Sequence, residues 1–380
     1  MKYFDRFKSI FVILSFALIV AFPYYATIFK FDENLVGAEE KVELSFKNID
    51  DYIMQNFPGR TLIVNTKNRF LYETFDISPN SSITKVKDNL FAIETLNYYY
   101  HGLYNISDAE VRALVRKLEK FNDYCKKNDK KLLIITTPTK PRYYDGPMPI
   151  VDYIISNNQD DSYDTDGLRS YDVFRDELKK TDIYFFDTIE AIDNNKNKYL
   201  KGNIPLFYKG AHHWSNYKAR LVSFELHDYM RDVMGLKIPH MDAVASKSDV
   251  AMPPDSDLFD VLNLGIKSHD DYYTVTDKML KYESDNLNYI IRGGSFMTGL
   301  VLVPITAGYN DTVLMSNKLV FYNNYNNQEE FETYDELEDR IGLIDKIRNA
   351  DVFIFEVHEI NVYNATFGFL DYILEHMEEI

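Results

Sequence analysis

Apolar positions recur along this chain in three rhythms: an unbroken run, a helical repeat and short continuous blocks. The unbroken run is SIFVILSFALIVAFPYYATIF, Ser9 to Phe29, which carries no charge. As a helix it is about long enough to cross ~30 Å of hydrocarbon. The helical repeat is clearest in SDAEVRALVRKLEKFNDYCKKNDKK, where Val111, Leu114, Val115, Leu118, Phe121 and Cys125 share one face. Ser107 and Glu110 there form a capping box. LLIITTP, Leu132 to Pro138, is a continuous apolar block, the mark of a strand buried on both faces, and a loop with Pro141, Pro147 and Pro149 follows it.

The alternation continues to the end of the chain. Upstream, residues 49–78 predict a helix broken at Pro58 and resumed after it. Downstream come a helix around Tyr171 to Lys180, the strand DIYFFDTI and a helix from Asn216 to about Met234. Ser215 is placed as the N-cap of that last helix, Val222, Leu226, Tyr229 and Val233 as its apolar face, and Gly235 as its stop. Residues 240–285 are polar and weakly patterned, a long loop or insertion. LNYIIRGG, DTVLM and KLVFY predict strands, YDELEDRIGLIDKIRN a helix, and ADVFIFEVHEI a last buried strand. Strands separated by helices predict an α/β domain with a mainly parallel sheet, whose sites lie beyond the carboxyl ends of the strands.

Charge places the apolar run. Lys2, Arg6 and Lys8 precede it and Asp32, Glu33, Glu39 and Glu40 follow, so the amino terminus is expected in the cytoplasm and the rest outside. The expected organisation is a cytoplasmic terminus over 1–8, a transmembrane signal anchor over 9–29, a stalk over 30–49 and one domain over 50–380. A cleaved signal peptide is the alternative, but the run is longer than the usual ~7–15 residues of such a segment.

The 380 residues are 46% hydrophobic, enough for a sizeable core, and their net charge is −17. With no basic run beyond Lys126 to Lys131, nucleic acid is excluded as a partner. Cys125 is the only cysteine, so no intrachain disulfide staples an exported domain. The 30 Tyr and 26 Phe suit either a groove that stacks on sugar faces or an aromatic core.

Two stretches carry candidate chemistry. In YIIRGGSFMTGLVL, Ser295 follows a strand and two glycines and precedes an apolar run expected to be helical. That context can expose a serine beside backbone N–H groups able to hold an oxyanion, although Gly-Gly-Ser turns are also common. A serine needs a base to become a nucleophile. YKGAHHWSNYKARL offers His212 and His213 beside Trp214, the only tryptophan, just before a helix. Zinc is not expected, because no adjacent Cys, Asp or Glu gives a familiar ligand spacing. No cofactor is expected either.

YKGAHHWSNYKARL and GGSF, in this order, resemble the motif blocks of the alginate O-acetyltransferase family of SGNH-hydrolase-like proteins. That family carries Asp-x-His-Trp, preceded by an aromatic residue and followed by a helix, and then a Gly-x-Ser block. NFPGR, TKNRFLYETFDISPN, DNLFAI, LLIITTPTKPRYYDGPMP and ADVFIFEVHEI are similar to other parts of it, so the resemblance runs from Asp50 to the carboxyl terminus. It implies a three-layer α/β/α domain in which Ser295 accepts an acyl group, His213 is its base and a polysaccharide hydroxyl receives the acyl group. It also implies a membrane-bound O-acyltransferase as the donor partner. Gly294, His212, Trp214, Tyr208 and Arg292 are then the candidates for oxyanion or substrate contacts.

The motif's aspartate falls on Ala211. Asp187, Glu356 or Glu359 is expected to orient the histidine instead, or a backbone carbonyl does so; otherwise the protein is an impaired carbohydrate-binding or scaffold subunit. An esterase that uses water shares the same serine and histidine. His212 is expected to point away from His213, and Trp214 to pack under the histidine loop rather than stack on sugar.

Overall fold

A computed structural model describes residues 60–146, 169–281, 286–297, 300, 312–322 and 327–380. The chain divides into two compact units, Met1–Arg69 and Phe70–Ile380. The expected anchor, the stalk, the helix before Pro58 and the loop prolines Pro147 and Pro149 lie outside the described residues. Among the described residues no helix is long and apolar enough to cross a membrane.

The described strands are, in chain order, β1 (Ile83–Val86), β2 (Asn89–Ala92), β3 (Lys131–Thr137), β4 (Tyr184–Asp187), β5 (His240–Ser248), β6 (Tyr272–Lys281), β7 (Tyr289–Gly293), β8 (Thr312–Ser316), β9 (Leu319–Tyr322), β10 (Asn327–Glu330) and β11 (Val352–His358). Seven of them form the central sheet, in the order β10-β9-β8-β7-β11-β3-β4. From β8 to β4 all neighbours are parallel, and at the other edge β9 pairs antiparallel with both β8 and β10. Ile354 at the centre of β11 lies opposite Leu133 on one side and Ile291 on the other.

Both faces of this sheet are covered, as the continuous apolar strands require. Leu132 and Ile134 of β3, with Phe353, Phe355 and Val357 of β11, enter one core. The apolar face of the helix Asp108–Lys127 and the helices Ser170–Leu178 and Phe369–Glu375 close it. The alternate residues Leu133, Ile135, Val352 and Ile354 enter a second core under the helices Thr188–Asn194 and Asn216–Asp232. The result is three layers, α/β/α. Cys125 sits in the first core, where burial pushes its thiol up to about 12.

Local signals hold at the caps. The capping box of Ser107 and Glu110 is formed, and Ser215 accepts a hydrogen bond from the Lys218 N–H. Three expectations change. Val233 is 54% exposed, because the buried face of its helix runs Val222, Leu226, Met230 and the helical ladder ends at Asp232. The single helix expected over YDELEDRIGLIDKIRN is two, Tyr334–Ile341 and Leu343–Asn349, divided by Gly342 at φ 63. The polar stretch 240–285 holds an antiparallel ribbon of β5 and β6, and a short helix, Asp257–Asp260, in the loop between them.

Candidate active site

Strand β7 delivers the serine. Ser295 opens a short 3-10 turn, Ser295–Met297, just beyond the carboxyl end of β7, and its side chain is exposed. Of the two glycines before it, Gly293 is required by close packing. A Cβ on Gly293 would stand 2.7 Å from Glu356 Cβ and Oε2. The Gly294 N–H donates to Glu356 Oε2 at 2.7 Å, and the same carboxylate accepts from the Thr137 hydroxyl. Burial raises the carboxyl of Glu356, against the lowering pull of these bonds. Glu356 is therefore the floor of the serine turn.

The histidine loop is closed at its base by an antiparallel bridge between Phe207 and Trp214 and by the Ser215 N–H, which donates to Leu206 O at 2.7 Å. Trp214 is buried in the second core, under the loop. Lys140, fully buried, holds the loop from beneath, its ammonium donating to the carbonyls of Tyr208, Lys209 and Ala211.

Beside the closing bridge of this loop, His213 Nε2 lies 2.7 Å from Ser295 Oγ, and His213 Nδ1 lies 2.5 Å from Asp257 Oδ2. The carboxylate assigns the tautomer: Nδ1 carries the proton and Nε2 is free to accept the serine proton. The other oxygen of Asp257 accepts the N–H groups of His212 at 2.7 Å and Leu258 at 2.9 Å. Burial acts to raise the Asp257 carboxyl, but the bond and charge of His213 outweigh it and hold the group below its ordinary value.

Asp257 takes the part that Asp187, Glu356 and Glu359 were expected to compete for. Asp187 instead accepts from Thr136 and Tyr171 and caps the helix Thr188–Asn194. Glu359 accepts from the Thr139 N–H and hydroxyl and pairs with Arg142. Ala211, where the motif has its aspartate, packs with Tyr208 and Tyr272 in a small apolar cluster.

The remaining candidates are placed as follows. His212 does not turn away from its neighbour: the two rings meet edge to face at 5.1 Å, and burial pushes His212 down to about 3, so it is neutral. Phe296 lies between the rings of His213, at 4.6 Å, and the buried His358, at 4.2 Å. Tyr208 and Arg292, expected at the substrate, are buried instead. Tyr208 packs on Tyr272, while Arg292 donates to Tyr334 Oη and to the carbonyls of Gly293 and Met315. The Gly294 N–H is committed to Glu356, which leaves the N–H groups of Ser295 and Phe296, the first two of the turn, as the oxyanion donors this geometry offers. Among the described residues no group of three or more His, Cys, Asp or Glu is arranged to hold a metal ion.

The loop that presents Asp257 has its own anchors. The Phe259 N–H donates to Gly210 O at 2.9 Å, and buried Asp255 accepts from Asn216 N at 2.9 Å and Nδ2 at 3.1 Å. Burial pushes the Asp255 carboxyl up to about 7, ahead of the lowering effect of Asn216. An unfolded aspartate titrates near ~4, so between about 4 and about 7 the native state binds more protons and stability falls as pH rises. Asp255→Asn keeps an oxygen for Asn216 and abolishes this titration. We expect it to match wild type near pH 4 and to melt at least about 2 °C higher at pH 8. Thermal unfolding at pH 4, 6 and 8 checks this; an equal or lower melting point at pH 8 contradicts it.

No family model and no curated protein matches the chain. Among solved structures it is similar to the O-acetyltransferase domain of Pseudomonas putida AlgJ, with 13% identity and a TM-score of 0.43 over 74% of this chain and 92% of that one. It is similar to Bacillus cereus PatB1 at 11% identity and TM-score 0.41, over 74% and 97% of the two chains. Pseudomonas aeruginosa AlgX gives 13% and 0.45, over 76% and 67%. At such identities and scores the overlays assign no chemistry to this chain.

Proposed function

We propose that the domain is an acyltransferase working through an acyl-serine, with Ser295 as nucleophile, His213 as its base and Asp257 as the carboxylate that orients the imidazole. One observation carries this reading: the unbroken hydrogen-bonded chain from Asp257 through His213 to an exposed Ser295 at the carboxyl end of a sheet strand. In the first half-reaction Oγ attacks the carbonyl carbon of an acyl ester while Nε2 takes the Oγ proton. The oxyanion rests on the N–H groups of Ser295 and Phe296, and the intermediate collapses as His213 protonates the departing group. In the second half an acceptor hydroxyl gives its proton to His213, attacks the acyl-serine and leaves as the ester, with the proton returned to Ser295.

The acceptor in this reading is a hydroxyl of an exported or cell-wall polysaccharide, and the acyl group is acetyl. The apolar run over 9–29 anchors the chain, the domain works outside the membrane, and a membrane-bound O-acyltransferase delivers the acyl group. The resemblance in the sequence motifs supports these finer points. The motive for an impaired binding subunit was the missing motif aspartate, and Asp257 supplies a carboxylate where that reading requires none.

Intact-mass spectrometry of the full chain in detergent, after exposure to p-nitrophenyl acetate, tests the reading. We expect one acetyl adduct in wild type and none in Ser295→Ala, with adduct formation slowed in His213→Ala. An adduct that persists in Ser295→Ala would sink it. Rapid decay of the adduct in water, indifferent to sugar acceptors, would favour an esterase.

A further inference from the structure

The carboxyl edge of the sheet carries a second constellation that the serine chemistry does not use. The chain leaving β11 forms a loop that ends beside the nucleophile: Phe367 Cζ lies 3.8 Å from where a Gly294 Cβ would stand. Midway along this loop a short 3-10 turn, Val362–Asn364, displays Tyr363. The helix Ile93–His101 is tied to the start of the same loop, because the Tyr98 hydroxyl donates to Glu359 O. Just after that helix Tyr104 stacks on Tyr363, with ring centres 4.7 Å apart and 26° between planes.

Tyr104 is held at three points. Its backbone is left-handed, at φ 66, a conformation unfavourable for a bulky side chain, and its hydroxyl donates to Glu94 Oε1 at 2.8 Å. Its ring is fixed by the stack. Even so Tyr104 is 38% and Tyr363 45% exposed. Burial is not what this arrangement achieves; it presents two immobilised aromatic faces to solvent, on the edge that bears Ser295. Rigid, exposed rings bind flat partners at little cost in conformational entropy.

The charges around the pair narrow the partner. Of the two cations that act on Tyr98 of that helix, Arg142 is paired with Glu359 and Arg169 lies over the ring of Tyr99, 3.8 Å from its centre. The carboxylate of Glu94 sits on Tyr104, and the chain as a whole carries −17. A polyanion would be repelled here, while an uncharged sugar ring loses nothing.

Resting on the acyl-serine reading above, we propose that Tyr104 and Tyr363 form a stacking subsite for an uncharged sugar ring of the acceptor. The acceptor is then a neutral glycan chain rather than a polyuronate, gripped at a ring remote from the reacting hydroxyl.

The test uses the full chain in detergent with p-nitrophenyl acetate as donor and four acceptors: cellohexaose, chitohexaose, mannohexaose and a hexauronate. Each rate is divided by the Ser295 acylation rate of the same variant. We expect at least one neutral hexasaccharide to be acetylated with saturation. Its KM should rise about tenfold in Tyr104→Ala combined with Tyr363→Ala and return to the wild-type value in Tyr363→Phe. Preference for the hexauronate, or an unmoved KM in the double variant, would overturn the subsite. So would Ser295 acylation with no neutral hexasaccharide accepted, which leaves the acyl-serine reading standing. Failure of Ser295 to acylate at all overturns both.

Discussion

Full-length protein carrying Asp257→Asn is expected to acylate Ser295 about 10³–10⁴-fold more slowly than wild type, with little change in melting temperature. The reason lies in the tautomer. Asp257 accepts the His213 Nδ1 proton through Oδ2, while Oδ1 takes the N–H groups of His212 and Leu258. In the variant the amide oxygen stays on those N–H groups, so the amide nitrogen faces Nδ1 and donates to it. The imidazole proton must then sit on Nε2, pointing at Ser295 Oγ from 2.7 Å, and the serine loses its base although every atom is nearly in place. Acylation rates from intact mass, paired with thermal unfolding, separate this from a folding defect. A loss under about tenfold would mean that the imidazole keeps its tautomer without Asp257, and the site would have to work as a Ser-His dyad.

Why Asp257 escaped the sequence while Ser295 and His213 did not is a matter of where each stands. Ser295 and His213 terminate or precede strongly patterned elements, β7 and the helix Asn216–Asp232, so their surroundings announce them. Asp257 hangs in the loop of a two-stranded ribbon whose first strand buries only Ala243. A strand wet on both faces shows no alternation, and its stretch looks like loop. The contacts that bring the loop to the histidine are backbone bonds, such as Phe259 to Gly210, and polar clamps such as Asp255 on Asn216. Neither leaves a hydrophobic signature.

The carboxylates on β11 show the converse error. Glu356 stands on a recognisable buried strand that borders β7 and was therefore a reasonable partner for the imidazole. The register sends its oxygens toward Thr137 and Gly294, under the serine turn, so it positions the nucleophile's backbone instead. The order of elements was legible from apolar blocks, but which face of a strand a given polar side chain takes depends on its partners.

The second large effect is expected at Lys140. Its ammonium donates to Leu90 O at 2.9 Å, Tyr208 O and Lys209 O at 2.8 Å and Ala211 O at 3.0 Å, over the ring of Phe91. Burial pulls its pKa down, to about 7, but four converging carbonyls favour the ammonium, since a neutral amine has only two protons to offer. Lys140→Met fills similar volume and leaves all four carbonyls without this donor. Lys209 O keeps the Leu90 N–H and Tyr208 O keeps the Ala211 N–H, so the loss falls on Leu90 O and Ala211 O. At about 1–3 kcal/mol each we expect a loss of about 2–5 kcal/mol and a melting point roughly 5–10 °C lower. Three of the four carbonyls belong to residues 208–211, immediately before His213, so the damage should also appear as chemistry. At a temperature where the variant is still folded, Ser295 acylation should fall about tenfold or more, because the imidazole no longer rests 2.7 Å from Oγ. A variant that melts lower yet acylates at the wild-type rate would show that Trp214 and Ser215 alone hold the loop. One that melts with wild type would show that Leu90 O and Ala211 O find other donors.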